Sequence, residues 1–163
     1  MNSQNSVRFG IGVPAGIEER LGGTYLDAAS RWCQLAEGLG FDFVTLPHHR
    51  FTPGYRSGSP WVTLAALAAR TERLHLGAGA PGERDDEASG ALRKRQAASS
   101  DSTSSGLDAL AAMVVAGSPD DVISGIRRYV AATACEHFIP AISGTDPVRS
   151  LELFGRHVIP AFR

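Results

Sequence analysis

The strongest constraint on this chain is a gap in its apolar patterning. Residues 81–106 (PGERDDEASGALRKRQAASSDSTSSG) contain a single large apolar residue, Leu92, between two segments, 7–80 and 107–163, that carry regular α/β patterning. A stretch with so little to bury cannot offset the entropy of being ordered. It reads as a linker or degraded element inside a single domain spanning residues 1–163, whose core must come from the flanking segments.

At 163 residues the chain can build a real core, yet it is short of the roughly 250 residues that a closed (β/α)8 barrel uses. Apolar residues at 43%, charged residues at 20% and a net charge of −1 are ordinary globular values. They leave no electrostatic footprint for nucleic acid or an anionic membrane, and point instead to small molecules or protein partners. Cys33 and Cys135 belong to no C-x-x-C pattern, which argues against zinc and against a disulfide framework. His75, His137 and His157 lack metal-ligand spacing, so no metal site is expected. The N-terminus shows no basic-then-apolar leader, and the longest apolar run, Ala109 to Ala116, is too short to cross a bilayer. A cytoplasmic protein is expected.

Along the chain, strands alternate with amphipathic helices. RFGIGVP gives a short strand with Phe9, Ile11 and Val13 in phase, stopped by Pro14. A helix is expected from about Thr24 to Leu39, with Gly40 as its stop. FDFVTLP is the next strand and ends at His48 and His49. Ser59 and Pro60 suit a helix start leading into Trp61 to Arg70, and Leu74 to Ala80 (LHLGAGA) is a third strand. The run Leu107 to Ala116 fits helix or strand. Gly117-Ser118-Pro119-Asp120-Asp121 opens a helix whose buried stripe is Val122, Ile123, Ile126 and Val130. His137 to Ile142 is a last strand, and Asp146-Pro147 starts a final helix bearing Val148, Leu151, Phe154 and Val158, ended by Ile159-Pro160. This alternation implies a parallel sheet joined by right-handed crossovers.

Four separated segments, taken in order, resemble the luciferase-like monooxygenases, flavin- or deazaflavin-dependent enzymes on a (β/α)8 barrel. They are LAEGLGFDFVTLPHH (Leu35 to His49), SPWVTLAALAARTERLHLG (Ser59 to Gly77), VAGSPDDVISGIRRYV (Val115 to Val130) and SLELFGRHVIPAFR (Ser150 to Arg163). By the same resemblance, residues 96–106 stand where the family has a helix after its third strand, with the leucines replaced by Ser or Thr. Everything the family places between its fourth and seventh strands is missing. The resemblance therefore implies an internally truncated, partial TIM-barrel-like fold with parallel strands ordered 3-2-1-8. Its helices would lie on one face, and the open face would invite pairing into a homodimer or larger oligomer.

The resemblance also assigns a site. His48, and with it His49, would stand past the end of the second strand, where barrel enzymes hold catalytic groups and an imidazole can donate a hydrogen bond or move a proton. Pro47 replaces the acidic residue usual in the family motif; the bland reading is a pair that only caps a strand. Gly77, Ala78 and Gly79 would face the ring of FMN or of the deazaflavin F420, where small residues permit close approach, although a plain turn explains them equally well. Three functions stay open: a luciferase-like oxidoreductase acting on a small-molecule substrate, a non-catalytic half-barrel that self-associates, and a chain without selected activity.

Overall fold

The structure, a computed structural model, describes residues 7–47, 59–79, 115, 117–133, 135–142 and 146–163. Its elements are β1 (Arg8–Gly12), α1 (Ile17–Leu21), α2 (Tyr25–Gly38), β2 (Phe43–Pro47), α3 (Pro60–Ala68), β3 (His75–Gly79), α4 (Pro119–Thr133), β4 (His137–Phe138) and α5 (Pro147–Leu153). A widened turn, Phe154–Val158, and a tight one, Ile159–Phe162, continue α5 toward the end of the chain. The strands form one four-stranded sheet in the order β3-β2-β1-β4, parallel throughout. The last strand thus lies beside the first, as the expected order requires.

Strand alternation divides the sheet into two unlike faces. Phe9, Ile11, Val44 and Leu46 are almost fully buried and join Trp32, Cys33 and Ala36 of α2, Leu64 and Leu67 of α3, Ile126 of α4, and Leu151 and Val158 in one core. Phe138 extends this layer on β4, where its ring meets Phe9 at 6.2 Å and Tyr129 of α4 at 5.6 Å. The alternate residues, Arg8, Gly10, Gly12, Phe43, Thr45, His75, Gly77 and His137, take no part in that core. All helices that contribute to the core therefore pack on one face.

Local chemistry explains the helix starts. Thr24 and Asp27 cap each other's backbone at α2: the Asp27 N–H donates to Thr24 Oγ1 at 3.2 Å and the Thr24 N–H to Asp27 Oδ2 at 3.3 Å. Ser118 and Asp121 repeat the arrangement at α4, and Asp146 Oδ1 accepts the Arg149 N–H at 2.9 Å at α5. These hydroxyl and N–H bonds hold the Asp27 and Asp121 carboxyls below the usual carboxylate range, Thr24 and Ser118 being the main causes.

Four expectations are corrected. Helix α1 lies within what reads as loop, started by Gly16 in the left-handed region at φ 67°. Ser59 makes no side-chain cap, leaving Pro60 as the only start signal used. β4 keeps only two of the six residues expected. Helical winding also runs beyond Ile159-Pro160, because Pro160 sits in the first turn of the tight segment, where its missing N–H costs nothing. The widened turn ahead of it lets Gly155 press against Leu39, where a Cβ would come within 2.6 Å of the leucine's own Cβ.

The end of the sheet holding the strand N-termini is tied down by side chains. Asp42 Oδ2 accepts the Phe9 N–H at 2.7 Å and an Arg163 N–H at 2.8 Å. The Arg163 guanidinium also donates to Val7 O at 3.0 Å and Gly40 O at 2.8 Å. Glu37 Oε1 accepts three successive backbone N–H groups, from Glu72, Arg73 and Leu74, as the chain enters β3. Burial opposes ionisation of Glu37, but these bonds and the Arg73 charge outweigh it and hold the carboxyl below its ordinary value.

Candidate functional site

In an α/β sheet the C-terminal ends of the strands are where chemistry is usually mounted. Here that rim consists of Gly12 ending β1 with Val13 after it, Leu46 and Pro47 ending β2, and Gly77 to Gly79 ending β3. Register places Thr45 beside Gly77, Leu46 beside Ala78 and Pro47 beside Gly79. Of the three residues expected to face a cofactor ring, Gly77 lies on the open face. Ala78 does not: it is packed against the core on the helix side. His48 and His49 lie outside the described residues.

Toward this rim the open face carries Gly12, Thr45 and Gly77, and a Cβ added at Gly12 or at Gly77 would meet no described residue within 4 Å. Trp32 anchors the Gly12 backbone from beneath, its indole N–H donating to the Gly12 carbonyl at 3.0 Å. A planar ring could therefore approach this backbone closely, and the described residues fit the ring of a flavin or deazaflavin in that respect. They do not supply its phosphate: Asp120 and Asp121 occupy the first turn of α4 and would repel one.

Toward the strand N-termini the same face is furnished. The Phe43 ring lies across β1, so close over Gly10 that a Cβ there would be 2.0 Å from the ring edge. It reaches the His137 ring on β4, with centroids 5.8 Å apart. Arg8 is the register partner of His137, and His75 that of Phe43. Sequence reasoning left His75 and His137 scattered. Strand parity combined with the order β3-β2-β1-β4 places His75, Phe43, Gly10, Arg8 and His137 on one face. The two histidines stand on the outer strands, three strand spacings or about 14 Å apart, too far to share a metal ion. Among the described residues no cluster of three or more His, Cys, Asp or Glu could hold one.

Other reactive groups are spoken for. Burial, with a smaller contribution from the Glu37 charge, pushes the Cys33 thiol up to about 12, so it stays protonated and inert. A cleft of about 360 Å³ between α4 and α5 is lined by Val122, Leu153, Phe154 and Val158. Its one hydroxyl, Ser150 Oγ, is already donated to Asp146 O at 3.0 Å, leaving nothing to orient a ligand. Among the described residues no helix is long and apolar enough to cross a membrane.

Comparison with known proteins gives one positive finding. Residues 7–81 match the sequence profile of a family described as luciferase-like monooxygenase. No curated protein and no solved structure matches the chain.

Proposed function

We propose, from the match of residues 7–81 to the luciferase-like monooxygenase profile, that the sheet is a partial (β/α)8 barrel and that its rim at Gly12 and Gly77 receives the ring of FMN or F420. The reading makes the protein an oxidoreductase of that class, with turnover reduced because the described residues offer the cofactor's phosphate no partner. The observation that carries it is the space that the described residues leave above Gly12 and Gly77, on a parallel sheet ordered β3-β2-β1-β4. The bound cofactor would supply the redox step toward an organic substrate. The chain's own part is to present flat backbone to the ring and, through His48 and His49 following β2 in sequence, to hold or move a proton beside it.

Titration of oxidised and reduced FMN and of F420 against folded protein tests this. Saturable quenching of cofactor fluorescence is expected, and Gly77→Val should abolish it while leaving the melting curve intact. Absence of binding in a cooperatively melting protein defeats the reading. It would favour the second one, a non-catalytic half-barrel that self-associates, for which Trp61 and Val62, each 69% exposed on α3, supply the contact. In that case Trp61→Arg should convert an oligomer to a monomer in light scattering.

A further inference from the structure

The furnished half of the open sheet face holds a cluster that neither reading uses. The Phe43 ring covers Gly10 and reaches the His137 ring, whose centroid is 5.8 Å away at a tilt of 59°, so the two rings span three strands. Arg8 occupies the adjoining position on β1, in register with His137, and both residues are exposed. Neither side chain has a hydrogen bond or ion pair among the described residues. Among the described residues the alternating strand positions of the face hold no carboxylate, and their one permanent charge is the Arg8 guanidinium.

The geometry points to a binding site for an aromatic carboxylate, with its ring on Phe43 and its carboxylate on Arg8 and His137. A guanidinium fork matches a carboxylate in two parallel hydrogen bonds, and an imidazole N–H can complete the oxygen's shell. An aromatic ring offset on Phe43 gains contact that an aliphatic one does not. A second copy of this chain matches the face poorly. The described apolar side chains at its parity are Phe43 and, past β4, the exposed Ile139, and a two-fold pairing would bring Arg8 toward its like-charged mate. The site is independent of the cofactor reading, since it lies at the opposite end of the strands.

The test uses naphthoate as probe on the full chain, followed by ligand-detected NMR, with naphthylmethanol and cyclohexanecarboxylate as the uncharged and non-aromatic controls. Naphthoate is expected to bind, and more weakly as salt rises, while both controls bind at least about tenfold less tightly. Arg8→Gln and Phe43→Leu should each weaken naphthoate by about tenfold. Neither residue belongs to the core, so unchanged melting curves accompany these losses. Leu153→Ser, in the cleft on the far side of the sheet, should leave affinity unchanged. Equal binding of naphthylmethanol, indifference to Arg8→Gln, sensitivity to Leu153→Ser, or no naphthoate binding at millimolar concentration would each overturn the proposal. The last outcome includes a face closed by another part of the chain or by a second copy.

Discussion

The two ends of the strands are built by different means. At the N-terminal end, Asp42, Arg163 and Glu37 join β1, the turn after α2, the entry to β3 and the end of the chain through seven hydrogen bonds. At the C-terminal end the side-chain tie among the described residues is Trp32 on the Gly12 carbonyl, and no described residue lies within 4 Å of where a Cβ at Gly12 or Gly77 would stand. Within the segment LAEGLGFDFVTLPHH, Glu37, Gly40 and Asp42 all serve the tied end. A profile match over residues 7–81 therefore reports first on the retention of a scaffold. It bears on chemistry only through the few residues at the bare end.

Breaking the tied end should be costly. Asp42→Ala leaves the Phe9 N–H and the Arg163 guanidinium without their acceptor, and a loss of about 3 kcal/mol in urea unfolding is expected. A loss under about 0.5 kcal/mol would show that water replaces the carboxylate and that the contrast between the ends is only apparent.

Glycine substitutions sharpen the same contrast within one sheet. Gly10→Ala drives a methyl group into the Phe43 ring and should cost about 2 kcal/mol, largely recovered when combined with Phe43→Leu. Gly12→Ala and Gly77→Ala meet no neighbour and should be neutral, or stabilising by up to about 1 kcal/mol through the unfolded state. If all three behave alike, the two halves of the open face are not distinct.

Between these extremes lies Glu37→Gln, with an expected loss of about 1 kcal/mol at neutral pH. The folded carboxyl titrates below its ordinary value of 4.5, so the stability it confers is complete above that value. It is lost as pH falls from 4.5 through the lower folded value. The urea midpoint of the wild type should fall in that window more steeply than that of the variant. Parallel curves would remove Glu37 from the account.

Much of the scaffold was legible because it depends on local rules. Alternation in RFGIGV and FDFVTL places Phe9, Ile11, Val44 and Leu46 on one face, and the S-P-D-D start of α4 can be read directly from capping chemistry. What escaped depends on particulars of tertiary geometry. α1 is started by a single glycine in the left-handed region, and the winding past Ile159 rests on a widened turn that seats Gly155 on Leu39. At the candidate rim, alternation alone separates Gly77, which lies on the face opposite the core, from Ala78, which packs against the core. The Arg8, Phe43 and His137 cluster needs both strand parity and the adjacency of β4 to β1, which no local pattern encodes.

The Arg163 contact with the Val7 carbonyl has a topological consequence. The two ends of the described chain are near neighbours in space, so a short peptide bridging them would make the molecule a closed loop of polypeptide, free to be reopened elsewhere. A circular permutant with its new termini between residues 81 and 106 would place β4 ahead of β1 in the chain, turning the longest-range strand contact of this sheet into a sequential one. Such a rearranged protein should fold faster than the parent to the same sheet.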